Sequence, residues 1–382
     1  MLSQKLTQQI MQRIHEPHFL RPKETWNPRE PVIYYEGTNF DGRRCDVPLV
    51  ILRSNPCRWF VHSGCVMCNY ELLAAHTVSI TGSHLISQIE AAIRKLEPLS
   101  VLPYMLVTSG GSFMDPHEVP DDVRLAIGER LRDAGLQRVS FESEPKFLTD
   151  QRLEAFRNVF SGKLSVGIGL ESHNDFIRNV VLNKALRTTQ FEHTVQKLRK
   201  YGHSYYTYVL FGKPFLTPDE DIQDTVDTIL YASRLGAHMA VVEVTNIQPY
   251  TLTHYLWEKH RYQPPNLWGA VEVLRRLPAH VVRSVSIKNI DADTGETRPL
   301  AVATTCKNCA QNVVTTIEEW NYTRNIRVIE ELLRSPCSCY AEWRQSMRTI
   351  AAEPIEMRVT RQYQMVAEEL GVSYEELDEA QV

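Results

Sequence analysis

The sequence has no long hydrophobic run and little net charge, and each absence excludes a class of protein. No apolar segment approaches the roughly 20 residues that a membrane-spanning helix needs. The N-terminal stretch MLSQKLTQQIMQRIHEP has helical periodicity but no signal-peptide core. The formal net charge of −4 argues against a broad nucleic-acid-binding surface, although a local basic groove stays possible. We therefore expect a cytoplasmic protein without a membrane partner.

Low-complexity segments are absent as well, and the only internal repetition is an alternation of strand-like and helical segments. Hydrophobic residues make up 43% and charged residues 23% of the 382 positions, which is ordinary for a globular protein. A chain of this length has room for one large α/β domain and a smaller appendage.

Six strand-like runs alternate with helical segments. The strands are predicted at 47–52, 103–108, 136–142, 163–170, 204–211 and 238–244, and the helices near 83–97, 120–134, 149–159, 188–201 and 219–235. Strict alternation predicts a parallel sheet with helices outside it. Polar residues collect just after the strands, where a barrel has its active-site rim. We therefore predict a partial (β/α)6 TIM-type barrel rather than a doubly wound sheet, with a further strand at 280–288.

Three regions follow from this pattern. Residues 1–45 are predicted to form an N-terminal helix and an irregular wrap rich in Pro, Trp and Tyr, and residues 46–290 the barrel. Residues 291–382 are predicted to form a cysteine-rich α/β extension with a four-cysteine metal-binding module and an acidic helical tail.

Seven of the eight cysteines fall into two groups, and a reducing compartment favours metal binding or catalysis over disulfides. Cys45 stands apart and is expected to be a buried apolar thiol. The first group is Cys57, Cys65 and Cys68, with seven and then two residues between them, after the first strand. Three thiolates can hold three irons of a cubane cluster and leave the fourth iron open to a ligand. Half of a zinc site is the structural alternative.

The second group is a full set of four soft ligands, and it lies in the C-terminal extension. Its members are Cys306, Cys309, Cys337 and Cys339. Zinc is the commoner occupant of a closed four-cysteine site, and a second [4Fe–4S] cluster is the alternative. Both alternatives stay open at this point.

Polar residues at the predicted strand ends are candidates for cofactor binding. The second strand is followed by Ser109, Gly110, Gly111 and Ser112, where paired glycines allow close approach of a ligand to the backbone. Glu142 and Glu171 end the third and fourth strands, and Lys213 and Gln248 follow the fifth and sixth. A buried lysine there would compensate a negatively charged cluster or carboxylate. No side chain is identified as a catalytic proton or hydrogen donor.

Several longer stretches carry a resemblance to a known family. They are GCVMCNY, TSGGSFMDPHEVP, GIGLES with the downstream NKAL, FGKPFLTPDEDIQD, NIQPYTL, YQPPNLW and CKNC…CSCYAEW. The cluster loop resembles radical S-adenosylmethionine (SAM) enzymes of the elongator-type branch. More narrowly, these stretches resemble the radical subunit of archaeosine synthase, from about Trp26 to Trp343.

The resemblance implies an enzyme whose first three cysteines hold a [4Fe–4S] cluster, with Gly110 to Ser112, Glu142 and Glu171 facing SAM. Tyr70 is the aromatic residue near the last of these cysteines and is included among the cofactor contacts. Reductive cleavage of SAM would give a 5′-deoxyadenosyl radical that abstracts hydrogen from a nucleoside- or nucleotide-type substrate. An external electron donor of the flavodoxin or ferredoxin type is implied.

Three alternatives to this function stay open. The family acts on a lysine-modified deazaguanine in tRNA, by C–N cleavage, together with a partner that attaches the lysine. A second iron–sulfur cluster would instead allow sulfur insertion. A non-catalytic, zinc-stabilised binding protein would use both cysteine groups structurally.

Overall fold

The sheet of this protein contains eight strands in chain order. The computed structural model describes residues 4–20, 26–69, 79–291, 299–347 and 353–372. The strands are β1 Val32–Phe40, β2 Arg43–Ile51, β3 Met105–Thr108, β4 Arg138–Glu142, β5 Lys163–Glu171, β6 Ser204–Phe211, β7 Met239–Val244 and β8 Val285–Lys288. Strands β2 to β8 are parallel neighbours, and β1 pairs antiparallel with β2. The predicted partial barrel is confirmed, with β8 as a seventh parallel strand.

Helices connect the parallel strands and cover the outside of the sheet. They are α1 Gln4–Leu20, α2 Arg58–His62, α3 Gly82–Leu96, α4 Asp121–Asp133, α5 Asp150–Val159, α6 Thr188–Lys200, α7 Pro218–Arg234, α8 Leu252–Glu258, α9 Leu267–Arg276, α10 Ala279–Val282, α11 Ala310–Thr323, α12 Ile326–Arg334, α13 Ser338–Ser346 and α14 Ile355–Glu369. Each of the first five predicted helices matches one of α3 to α7. Among the described residues, no helix combines the length and apolar character needed to cross a membrane.

Strand β1 is the main departure from the predicted architecture, because it lies in the region predicted to be an irregular wrap. It joins β2 through Asp41 and Gly42, whose φ angles are +50° and +78°. Positive φ at both central residues is the backbone of the tight hairpin turn that Asp-Gly favours. The turn therefore carried a sequence signal that the abundance of Pro, Trp and Tyr obscured.

The core has layers on both sides of the sheet. A small apolar cluster that includes Leu49, Leu106 and Val241 lies on one face of the strands. Larger clusters pack the opposite face against α3 to α7 and α9. The sheet therefore places the ends of its parallel strands on one rim, where side chains from different strands can meet.

The C-terminal extension consists of helices in its described part, with two isolated β-bridges to the barrel at Ala301 and Thr304. Trp320 of α11 is fully buried and donates from Nε1 to the carbonyl of Val285 at 3.1 Å. Helices α11 to α13 share one apolar core with β7, β8 and α9. The extension is thus packed on the last strands of the barrel, and the boundaries at 45/46 and 290/291 stay predictions.

The first and last strands, β1 and β8, are not paired with each other among the described strands. We call this gap the β1–β8 seam. Lys288 bridges it, because its Nζ donates to the Gly37 carbonyl at 3.1 Å and lies 3.4 Å from the Glu36 carboxylate. Helix α11 lies across it, and Asn39 donates to the Tyr322 carbonyl at 2.8 Å. Side chains and a helix thus close the seam.

Candidate cofactor site and four-cysteine group

The loop of the first cysteine group is built around the short helix α2. Cys57 precedes this helix, and Gly64 follows it with a φ of +86°. A Cβ on Gly64 would lie 2.4 Å from Cε1 of the buried His15, so both the backbone angle and the space require glycine. The His15 ring stacks on Phe60 of α2 at 4.2 Å between centroids. Helix α1, which carries His15, thus holds this loop in position. Cys65 and Cys68 come next in the sequence.

The cysteine loop touches the glycine pair that follows β3, as predicted for residues on one rim. A Cβ built on Gly111 would lie 2.9 Å from Sγ of Cys57 and 2.6 Å from Oε1 of Glu118. Arg58 strengthens this junction, because its Nε donates to the Asp115 carboxylate at 2.9 Å. Only glycine therefore fits at position 111, because any side chain there would displace Cys57 or Glu118.

The thiols of this loop keep partial solvent contact, yet close packing disfavours their ionised forms. Burial raises the pKa of Cys57 well above its usual range, and the carboxylates of Glu118 and Glu144 add to this. Burial likewise raises the pKa of Cys65 to about 12, against the lowering effect of Lys184. A cationic iron would stabilise the thiolate forms that burial disfavours. The donor set therefore fits a thiolate-bound iron–sulfur cluster.

Glu118 organises the segment after β3, and the sequence analysis missed it. Its carboxylate accepts hydrogen bonds from Ser109 Oγ at 2.6 Å, from Gly111 N at 2.8 Å and from Ser112 N at 2.9 Å. Glu118 is buried, and burial raises its pKa to about 8 against the lowering effect of these hydrogen bonds. Three of the four predicted contacts of this segment thus donate to a carboxylate of their own chain. Its location in MDPHEVP, just after the glycine pair, was the available signal.

Gly110 lies between these residues and is held less tightly. Its amide N–H points to Ser54 Oγ at 3.5 Å, the long limit of a hydrogen bond. The Ser112 hydroxyl accepts from Glu144 N at 3.0 Å, which ties the segment to the end of β4. The structure therefore brings Ser109 to Ser112 beside the cysteine loop, with the Gly110 amide the least committed donor among them.

Glu142 at the end of β4 belongs to a buried hydroxyl network. It accepts from Thr108 Oγ1 at 2.8 Å and from the Tyr208 hydroxyl. Burial raises the pKa of Glu142, and the two hydrogen bonds oppose that effect. Strand alternation brings β3, β4 and β6 side chains to one level of the sheet, so Tyr208 could have been found from its inward position in SYYTYVLF.

Glu171 at the end of β5 pairs with Lys184, whose Nζ lies 2.9 Å from Oε1. Glu171 has a φ of +61°, and the β5–β6 register shifts between Gly169 and Glu171. A Cβ on Gly169 would lie 2.4 Å from Nζ of Lys184, so this glycine makes room for the ammonium. Burial acts to lower the pKa of Lys184, but Glu171 and Cys65 raise it overall. Lys184 is therefore a fixed positive charge beside the cysteine loop.

Lys213 pairs with two carboxylates of its own chain. Its buried Nζ lies 3.0 Å from Asp221 and 3.1 Å from Asp224, both on α7, and it donates to Thr225 Oγ1 at 2.9 Å. Burial acts to lower the pKa of Lys213, but the two aspartates raise it overall. Two carboxylates of α7 therefore already neutralise this ammonium, and the predicted contact of Lys213 with a cofactor stays a prediction.

Of the last two predicted cofactor contacts, Gln248 and Tyr70, the structure describes only Gln248. Gln248 donates from Nε2 to Asn246 Oδ1 at 2.9 Å, and its Oε1 is buried without a hydrogen bond from the described residues. That free acceptor agrees with a place beside a ligand. Tyr70 lies outside the described residues.

The four C-terminal cysteines come together as the sequence analysis predicted. Their Sγ atoms all lie within 4.8 Å of one another. Cys306 lies 3.4 Å from Cys309 and 3.5 Å from Cys337, and Cys309 lies 3.5 Å from Cys339. Among the described residues, no other group of three or more His, Cys, Asp or Glu side chains brings its ligand atoms together in this way.

Two neighbouring side chains form hydrogen bonds with sulfur in this group. Trp268 of α9 donates from Nε1 to Cys339 Sγ at 3.3 Å, and the Thr305 hydroxyl lies 3.4 Å from the same sulfur. Burial acts to raise the pKa of Cys339, but its hydrogen bonds with Thr305, Trp268 and the thiols of Cys306 and Cys309 lower it to about 6. Cys45 of β2 lies outside both groups, and the prediction that it is a buried thiol is wrong, because its side chain is partly exposed.

Comparisons with known proteins agree with these motifs. The chain is 28% identical over 344 residues to archaeosine synthase subunit beta of Methanosarcina acetivorans, covering 89% of this chain and 94% of that protein. It is 29% identical over 239 residues to the same subunit of Thermococcus kodakarensis, covering 62% of this chain and 73% of that one. The resemblance predicted from the sequence is confirmed. No protein-family model matches the chain.

Solved structures that resemble the chain do so more distantly. The archaeal Elp3 of Methanocaldococcus infernus, solved with an N-terminal deletion, is 16% identical. The superposition covers 63% of this chain and 60% of that one, with a TM-score of 0.46.

Proposed function

We propose that the protein is a radical SAM enzyme whose [4Fe–4S] cluster is held by Cys57, Cys65 and Cys68. The observation that supports this most directly is the contact of the three-cysteine loop with the glycine pair after β3. When bound, the cluster and SAM would supply reductive cleavage of the sulfonium to a 5′-deoxyadenosyl radical. Similarity to archaeosine synthase subunit beta along 94% of that protein's length supports the same class.

The charged side chains around the cysteine loop are suited to bind the ammonium and carboxylate groups of an amino acid. Glu118 lies beside Cys57 and can accept from an ammonium group. Lys184 acts electrostatically on Cys65 and can pair with a second carboxylate in addition to Glu171. Glu142 and Glu171, at neighbouring strand ends, are placed to accept from hydroxyl groups. These roles assign Glu118 and Lys184, which the sequence analysis did not select, to the cofactor site.

The class is tested by anaerobic reconstitution with iron and sulfide, reduction and addition of SAM. We expect 5′-deoxyadenosine from the wild-type protein and from Cys45→Ala, and none from Cys65→Ala. Cys65→Ala should lose the brown colour and keep its circular dichroism. If the reduced, iron-loaded wild type forms no 5′-deoxyadenosine with or without candidate substrates, the class is excluded. Unfolding of Cys65→Ala would favour the non-catalytic, zinc-stabilised alternative.

For the substrate, we propose a nucleoside- or nucleotide-type molecule, and more narrowly a lysine-modified deazaguanine in tRNA. The named sequence relatives support this choice. Such a reaction would need a partner that attaches the lysine and an external electron donor. We expect tRNA carrying the modified base to increase 5′-deoxyadenosine formation and to yield a new nucleoside by mass spectrometry. The free modified nucleoside, tested in parallel, shows whether tRNA itself is required.

A further inference from the structure

The distances between the C-terminal sulfurs distinguish the two metal groups that the sequence left open. In a tetrahedral zinc site, a Zn–S bond of about 2.3 Å places neighbouring sulfurs about 3.8 Å apart. Three sulfur pairs of this group are 3.4 to 3.5 Å apart, and all four sulfurs lie within 4.8 Å of one another. The spacing of the four sulfurs therefore matches the ligand shell of one tetrahedral metal ion.

A cubane cluster does not fit between the same atoms. Each of its four cysteines binds a different iron at a separate corner, so the sulfurs lie outside the cluster and far from one another. Accommodating it would require the loop before α11 to move away from the loop before α13. Those loops start helices whose side chains Val313 and Trp343 are buried in one core, so this movement would disrupt packing.

We propose that Cys306, Cys309, Cys337 and Cys339 bind one zinc ion, which has no redox role. Four sulfurs complete a tetrahedral shell and leave no position for substrate, as in structural zinc sites. Zinc binds such ligands more tightly than ferrous iron does. The proposal excludes electron transfer or sulfur donation from a second cluster at this site.

The groups around the sulfurs show what the ion would join. Trp268 belongs to α9 of the barrel, and its N–H donates to Cys339 at the start of α13. Hydrogen bonds of this kind orient metal ligands and offset the negative charge of thiolates. The zinc would therefore link two loops of the extension to each other and, through Trp268, to the barrel.

Metal analysis of the full chain with Cys57, Cys65 and Cys68 all replaced by alanine tests the site apart from the first cluster. We expect about one zinc per chain, no iron and no acid-labile sulfide. Replacement with Co2+ should give the visible absorption of a tetrahedral thiolate site. Iron with sulfide, a single iron, or no bound metal would each overturn the proposal. Because this variant lacks the first cluster, the outcome does not depend on whether the protein is a radical SAM enzyme.

Two further changes in that background control for loss of folding. Cys337→His keeps four ligands, and Cys3His sites bind zinc, so it should retain about one zinc with a shifted cobalt spectrum. Cys45→Ser alters a cysteine outside the group and should leave the zinc content unchanged. Trp268→Phe should keep the metal but release it to a chelator at least several-fold faster. An unchanged release rate in Trp268→Phe would refute the proposed link through Trp268.

Discussion

Gly111 shows how a single residue defines the candidate site. Its missing side chain allows the segment after β3 to approach both Cys57 and Glu118. A Gly–Gly pair could be recognised in the sequence, but the residue that folds back over it could not. Glu118 is separated from the pair by a turn, and its contacts arise only when Asp115 and its neighbours form that turn. Residue types were therefore predictable, and their partners were not.

Gly111→Ala should impair cluster binding without unfolding the protein. The new Cβ would lie 2.8 Å from Cys57 Cβ and 2.9 Å from its Sγ, so the thiol would be displaced from its position. We expect at least a several-fold loss of bound iron after reconstitution, measured per chain. Gly42→Ala is the control, because nothing lies within 4 Å of its Cβ, although its φ of +78° costs about 1 kcal/mol. Equal iron contents in the two variants would contradict this role of Gly111.

Glu243 at the end of β7 should make stability depend on pH. Burial raises its pKa to about 8, and the neighbouring carboxylates Glu36, Glu171 and Glu142 contribute against the lowering effect of Lys288. The folded form therefore holds a proton that the unfolded form releases near pH 4.5. This contribution to stability is complete below pH 4.5 and is lost as the pH rises to about 8.

Chemical unfolding of the wild type between pH 5 and 8.5 measures this effect. Glu243→Gln cannot titrate, so its free energy of unfolding should fall less with rising pH, by about 1 kcal/mol or more. Glu154→Gln, at an exposed position of α5, should follow the wild-type curve. Parallel curves for wild type and Glu243→Gln would show that Glu243 is already ionised in the folded protein.

At the scale of elements, alternation of apolar runs was enough to predict β2 to β7 and the helices between them. This worked because strands buried on both faces read as continuous apolar segments. Strand β1 was missed because its pattern of Tyr, Glu and Asn is only half-buried. The C-terminal helices were predicted only in part, since their positions depend on the barrel core and not on local pattern. Local signals thus specified the repeated units, while long-range packing specified the additions.

Lys213 on the loop between β6 and α7 should contribute to stability rather than to cofactor binding. Lys213→Met would leave Asp221 and Asp224 buried without their cation, at a cost of about 3–5 kcal/mol. Urea unfolding measures the loss. Arg361→Ala removes an exposed ion pair with Glu353 and should cost about 1 kcal/mol or less. If the Lys213→Met protein has wild-type stability but fails to bind SAM, Lys213 contributes to cofactor binding and not to stability.

For the whole molecule, the extension and the barrel form one packed body in their shared core. Helices α11 to α13 and strands β7 and β8 bury side chains in the same cluster, and the proposed zinc lies at its edge. Loss of the ion would remove the constraint on two loops while leaving the distant core around α3 to α6 in place. The effect should therefore be local.

Hydrogen–deuterium exchange after chelation tests this locality. Amides of α11 and α13 should exchange at least several-fold faster once the metal is removed, because local opening becomes less costly. Amides of α4 and α5, which pack in a separate cluster, should be unchanged. A uniform increase across the chain would mean that the metal stabilises the fold as a whole, and no increase would mean that the helices hold without it.

Among the described strands, backbone hydrogen bonds join each successive pair from β1 to β8. They do not join β1 to β8 across the β1–β8 seam. Lys288 and α11 bridge it through side chains, so it can part at a lower cost than any neighbouring strand pair. For the substrate proposed above, a base attached to tRNA, separation of β1 from β8 would enlarge the barrel without breaking a strand ladder. Helix α11, which begins directly after Cys309, would limit this widening because it contacts both β1 and β8.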